Sequence, residues 1–307
     1  MAPRTVEEFR SRIDTIECLD KSGASIAELS EAIRDLNRGT RVGMPQLHPG
    51  LKIYRTVRMT EKKCDRARIS YPPKERCDKS GRVNAPGEVV FYGCISCRPT
   101  GKELQQFDIA CLYEIDAQPG ERCVIGEWIV FEPMRVGHVG YSATGLSEHS
   151  LRNGQPWMEI DDENPVTPYI RKWQSDMFTR KVAKGDEDRY RMSIAIAKLC
   201  VRPCLEDDDV VSGLVFPSVA SELCIDNVAI VPSEVDRALR LRRAWFVEIQ
   251  SVYEVQSELG NGEPDTPIGK TEIKELDWSR ECRDDGTIVW WNGAYGFFPS
   301  TSTCTSY

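Results

Sequence analysis

Residues 80–94 read Ser80-Gly-Arg-Val-Asn-Ala-Pro-Gly-Glu-Val-Val-Phe-Tyr-Gly-Cys94. They join a turn to a strand. Gly81, Pro86 and Gly87 punctuate the backbone, and Asn84 tolerates the left-handed conformations that turns use. Val89, Val90, Phe91 and Tyr92 then form a β-branched and aromatic run too short for a helix. A cation, Arg82, thus stands at the mouth of a loop, ten residues before a phenol, Tyr92, on the following strand.

The flanking sequence fits a mixed α and β chain. Thr5-Val-Glu-Glu8 and Ser25-Ile-Ala-Glu28 are capping boxes, each followed by apolar residues at helical spacing, so two helices are expected before residue 45. Residues 51–59 alternate as a strand and place Tyr54 and Arg55 just after a Pro49-Gly50 turn. Residues 60–79 read as an irregular connection. A helix is expected over 102–115, ending near Glu114, and a strand over 122–131. Residues 137–164 read as loop. Helices are expected over 168–182 and 186–199, then strands over 213–218, 227–232 and 243–255. The tail carries two more strands, over 270–276 and 287–291. The acidic run Glu206-Asp-Asp-Asp209 reads as a solvated turn.

Composition narrows the class. Of 307 residues, 40% are hydrophobic and 29% charged, as in globular proteins. A net charge of −8 argues against a general nucleic-acid binder, which needs a basic footprint. The charge is uneven: residues 51–82 hold 11 Lys/Arg against 4 Asp/Glu, a local +7 that leaves −15 for the rest. Such a block draws anions. There is no secretory signal at the N-terminus and no apolar run long enough to span a membrane. The 12 cysteines are then expected to be reduced thiols of a cytoplasmic protein. Cys94-Ile-Ser-Cys97 has the spacing of a metal or redox pair, and Cys200 with Cys204 is a looser one. With three histidines in the chain, buried thiols are the better account of both.

Taken in order, several pieces resemble the RES domain family. They are Tyr54-Arg55, Ser80-Gly-Arg-Val-Asn84, Val89-Val-Phe-Tyr92, Ala110-Cys-Leu-Tyr-Glu114, and Phe216-Pro-Ser218 with Asn227 after it. Members of that family include toxins of RES–Xre toxin–antitoxin pairs that consume NAD by glycohydrolysis or phosphorolysis. The resemblance implies an α+β fold, a mixed sheet domain similar to ADP-ribosyltransferases with flanking helices. By position it assigns catalytic roles to Arg82, Tyr92, Glu114 and Ser218, and pocket-lining roles to Tyr54, Arg55 and Asn227. It implies NAD as substrate, no metal, and an Xre-type antitoxin as partner. It covers residues 51–232. Val83 departs from the family's aromatic, and about ten extra residues precede Glu114. The expected organisation is a helical hairpin over 1–45, a NAD-binding domain over 46–260 and a β-rich extension over 261–307.

The residue types suit that chemistry. Cleaving the nicotinamide–ribose bond leaves a cationic sugar beside a pyrophosphate anion. Arg82, with Arg55 behind it, is expected on the pyrophosphate, because guanidinium and phosphate pair in a planar fork. Tyr92 offers a ring face to nicotinamide and a hydroxyl to hydrogen-bond. Glu114 favours positive charge at the anomeric carbon or orients the acceptor. Ser218 and Asn227 are expected on ribose or carboxamide. Two other functions stay open at this level: a non-catalytic nucleotide- or partner-binding protein, and an ADP-ribosyltransferase acting on a macromolecule.

Overall fold

The structure is a computed structural model that describes residues 5–38, 44–62, 64–95, 110–141, 165–183, 185–201, 211–219, 226–256 and 267–291. Apolar spacing and caps build the first two helices, α1 (Val6–Lys21) and α2 (Ile26–Asn37). Thr5 accepts from the Glu8 amide, and Ser25 and Glu28 form a reciprocal capping box, so orphan amides at both helix starts are satisfied. Phe9, Ile13 and Ile16 of α1 and Leu29, Ile33 and Leu36 of α2 lie on the buried stripes.

Ten strands follow: β1 (Gln46–Leu47), β2 (Lys52–Arg58), β3 (Phe91–Ile95), β4 (Arg122–Val130), β5 (Met134–His138), β6 (Val211–Pro217), β7 (Asp226–Ile230), β8 (Leu239–Gln256), β9 (Pro267–Cys282) and β10 (Ile288–Trp290). Between them lie α3 (Arg66–Ile69), α4 (Ala110–Glu114), α5 (Thr167–Thr179), α6 (Arg191–Cys200) and α7 (Pro232–Ala238). The chain is α+β. Its strands form one sheet in the order β1-β5-β6-β7-β3-β2-β4-β8-β9-β10. Every neighbouring pair is antiparallel except β5 with β6.

The middle of this sheet is its weakest join. β2 pairs with β4 over seven positions and β3 with β7 over five, but β2 meets β3 only at Ile53↔Ile95 and Tyr54↔Cys94. Beyond that point the strands part, and the Arg55 guanidinium bridges to β3 in place of a ladder bond. Its Nη1 donates to the Tyr92 carbonyl at 2.7 Å. Gly93 sits where the strands are closest. A Cβ there would stand 2.5 Å from Ile53 Cγ2 and 3.1 Å from the Tyr54 carbonyl.

Side chains alternate across the sheet and sort into three clusters. Ile53, Phe91, Trp128, Val215, Val228 and Ile230 pack on one face, toward α3 and α7. The other face is divided. Leu214, Phe216 and Ala229 lie under α1, α2, α5 and α6, while Tyr54, Cys94, Ile125 and Trp245 lie under α4. The boundary between these two clusters runs past Tyr92 and Cys94 of β3.

Several elements differ from the sequence expectation. β3 starts at Phe91, two residues later than the apolar run, because its partner β7 ends at Ile230 and the chain enters α7 at Pro232. Residues 134–138 form a strand where a loop was expected, and α7 occupies a segment read as the end of a strand. The connection over 60–79 contains α3 and a short 3-10 turn at Lys74–Arg76. The 102–109 part of the expected helix, the acidic run at 206–209, Cys97 and Cys204 lie outside the described residues. No helix among the described residues is long and apolar enough to cross a membrane.

Gly93→Ala is expected to cost about 1–3 kcal/mol, because the added methyl overlaps Ile53 in a region that cannot open without losing the two-pair seam. Urea denaturation of wild type and variant measures it. Unchanged stability means the β2–β3 approach is looser than described.

Candidate functional site

The register sets the site before any loop is considered. Phe216, Asn227, Cys94, Tyr54 and Glu127 are successive Cα partners across β6, β7, β3, β2 and β4, so they form one row on one face. Within that row Cys94 Sγ donates to Asn227 Oδ1 at 3.3 Å, and the Tyr54 hydroxyl donates to Glu127 Oε2 at 2.9 Å. Glu127 is buried and also meets Lys52 Nζ at 3.1 Å and Arg242 Nη1 at 3.6 Å. Tyr54 is therefore a sheet residue whose hydroxyl serves a buried carboxylate.

Glu114, at the end of α4, reaches over the same row. Its Oε1 accepts from Asn227 Nδ2 at 2.9 Å and from the Ser218 hydroxyl. Three residues from separate elements thus converge on one carboxylate oxygen. Helix α4 is held over the sheet by Cys111 and Leu112, and the Thr56 hydroxyl donates to Cys111 Sγ at 2.8 Å. Ser218 and Asn227 are 1% and 6% exposed, whereas Glu114 itself is exposed, so one carboxylate oxygen is clamped from a dry side and the other faces outward.

Cys94 sets the orientation of this clamp. Burial, and secondarily Glu114, hold its thiol well above the usual range, so it stays a protonated donor. A thiol donor on Asn227 Oδ1 turns the amide so that its NH2 points to the carboxylate.

Arg82 and Tyr92 form the loop side. The Tyr92 hydroxyl donates to Asn84 Oδ1 at 2.7 Å and accepts from the Val83 amide at 3.1 Å. Burial holds the phenol well above its usual range. The hydroxyl expected to face a ligand is instead spent on shaping the turn. Gly81 is part of the same device: a Cβ there would lie 2.4 Å from Asn84 Oδ1 and 2.8 Å from the Tyr92 oxygen. The loop so formed carries Arg82 to the C-terminal end of α5. There its Nη1 donates to the Phe178 carbonyl and, at 3.1 Å, to the Arg180 carbonyl. Its guanidinium lies 5.2 Å from the centre of the Tyr190 ring. Burial pushes its pKa below the usual value, opposed by Tyr190, Glu114 and Tyr92, which places Arg82 within electrostatic reach of the carboxylate.

Arg55 does not join this group. It lies on the opposite face with Ile53 and Val57, its guanidinium 5.4 Å from the centre of the Phe91 ring. Residues that sequence reading passed over are Asn84, seen only as a turn former, Tyr190, read as the buried face of a helix, and Cys94, read as half of a thiol pair. Among the described residues no group of three or more His, Cys, Asp or Glu side chains is placed to hold a metal. Compared with protein-family models, curated proteins and solved structures, the chain matches none.

Tyr92→Phe removes the partner of the Val83 amide and of the buried Asn84 side chain. The expected loss is about 1–3 kcal/mol of unfolding free energy by urea denaturation, the cost of unsatisfied buried polar groups. A loss no larger than that of an exposed Tyr→Phe change would mean that the turn does not depend on the phenol.

Proposed function

We propose that this protein cleaves the nicotinamide–ribose bond of NAD, by hydrolysis or phosphorolysis, at the Glu114 clamp. What supports the reading is the convergence of Glu114, Ser218 and Asn227 on one point. Each comes from a different motif of the RES resemblance, and they are separated by 104 and 113 residues in the chain. On the same reading the domain around them is ADP-ribosyltransferase-like.

The chemistry follows from where charge moves. As the C–N bond breaks, its electron pair returns to the pyridinium ring, nicotinamide leaves neutral, and positive charge develops on the ribose. A carboxylate with one oxygen fixed and the other open is suited to face that cation. It is pre-oriented and needs no rearrangement at the moment of reaction. Ser218 and Asn227 fix its geometry without taking its charge. An acceptor oxygen then bonds to the anomeric carbon and releases a proton, giving ADP-ribose with water or the 1-phosphorylated sugar with phosphate. Arg82 has one nitrogen committed to carbonyls, while its Nε and Nη2 have no acceptor among the described residues and are available to an anionic part of the substrate. In a cell such an activity drains a shared cofactor, and a partner protein of the Xre type is expected to hold it in check.

Purified protein incubated with NAD is expected to release nicotinamide. Glu114→Gln should lower kcat by roughly 100- to 1,000-fold with a smaller change in KM, since the carboxylate matters most in the transition state. Ser218→Ala should cost about 10- to 100-fold, the loss of a hydrogen bond to a charged group. Arg82→Ala should act mainly on KM. Wild-type protein that leaves NAD intact, or Glu114→Gln with full turnover, would sink the proposal.

Cys94 provides a separate check on the clamp. Cys94→Ser keeps a donor to Asn227 and is expected to hold turnover within a few-fold, while Cys94→Val removes it and should approach the loss seen for Ser218→Ala. Selective labelling of asparagine nitrogen gives a readout free of catalysis. The Asn227 side-chain amide signals should stay in place in the serine variant and move toward free-amide positions in the valine one. Equal spectra for the two variants would show that the thiol does not orient the amide.

A further inference from the structure

On the face of the sheet away from Glu114, a cavity of about 700 Å³ opens between β2, α3 and the turn before β10. Arg55, Arg66, Arg68 and Arg76 line it together with Tyr71. Arg55 is the unusual member. Its Nη1 is used on the Tyr92 carbonyl, but its Nε is shut off from solvent with no acceptor, and no carboxylate among the described residues lies within ion-pair distance. Burial pushes this guanidinium down to about 10, with Cys94 and Tyr92 the groups that oppose the shift. A buried cation without a counter-charge is costly, and folded proteins seldom leave one so.

The acids around the cavity do not supply that counter-charge, because they serve other donors. Asp65 Oδ1 accepts from the Arg68 amide at 2.9 Å and caps α3. Asp236 takes the Tyr71 hydroxyl at 2.8 Å and Arg66 at 3.9 Å. Asp285 takes the Thr287 amide at 2.8 Å. Asp284 is exposed on the turn. Arg66 lies 5.6 Å from the centre of the Trp128 ring, which fixes a second guanidinium near the floor.

We infer that this cavity is a binding site for a phosphate-bearing small molecule, with Arg55 as the buried anchor of the phosphate and the α3 arginines around it. The guanidinium fork matches two phosphate oxygens, and the volume admits a ligand of nucleotide size. The phosphate has two sources. It belongs either to a separate effector, or to the NAD-type substrate of the proposed reaction reached through the gap where β2 and β3 part. In the second case the inference rests on that reading.

Inorganic pyrophosphate is the probe, followed by calorimetry and by thermal shift, neither of which needs catalysis. Wild-type protein is expected to bind it and to melt at a higher temperature in its presence. Arg55→Met should weaken binding at least tenfold. The same variant should also melt at a higher temperature than wild type when no anion is present, since the uncompensated cation is gone. If Arg55→Met does not fold, Arg55→Lys carries the test, because it keeps the charge without the fork and should lose at least fivefold in affinity. Competition between pyrophosphate and NAD assigns the phosphate to the substrate, whereas independent binding of the two assigns it to an effector. Either result supports the site. No binding to wild type at millimolar pyrophosphate, or equal binding by wild type and the Arg55 variant, would overturn it, whatever becomes of the NAD reaction.

Discussion

Two Cα pairs, Ile53↔Ile95 and Tyr54↔Cys94, hold the two halves of the ten-stranded sheet together. The brevity of that seam follows from sterics. Gly93 lets the strands touch at one point, and past it the bulk of Arg55 and Tyr92 takes the place of ladder hydrogen bonds. A sheet that parts in its middle exposes the edges of two strands. Here one guanidinium covers part of that edge, with its hydrogen bond to the Tyr92 carbonyl on one side and the Phe91 ring beneath it.

The same parting separates two kinds of polar chemistry. On the helical face, Glu114, Ser218, Asn227 and Cys94 are joined by hydrogen bonds that leave no listed donor idle, and the exposed carboxylate oxygen faces outward. On the opposite face, Arg55 keeps donors that nothing in the described protein accepts. A satisfied cluster at a boundary between two apolar cores is rigid. An unsatisfied cation beside a cavity lowers stability until something binds. The first arrangement suits a group that must keep one orientation, and the second suits a ligand site.

How much of this was legible in the sequence depends on the distance over which each feature is set. The capping boxes at Thr5 and Ser25, the strand at 122–130 and the helices on either side of residue 186 come from local periodicity and were readable. Strand β5 was not, since Met134-Arg-Val-Gly-His138 has weak alternation and becomes a strand by pairing with β6 in parallel. Nor was the role of Tyr92. Its spacing from Arg82 was visible, but its hydroxyl is spent on Asn84 and Val83 because the turn folds back over the strand.

By itself, then, the sequence determined the element types, the α+β class and the residue types that belong to an anion- and cation-handling site. Periodicity, caps and turn residues act within a few positions and need no partner to be read. Only the tertiary structure decided which of those residues meet. Glu114, Ser218 and Asn227 are brought to one point by the β6–β7–β3 register and by the packing of α4, and Arg55 is sent to the other face by the two-residue alternation of β2. Register is a property of paired strands, so a single chain read in order cannot contain it.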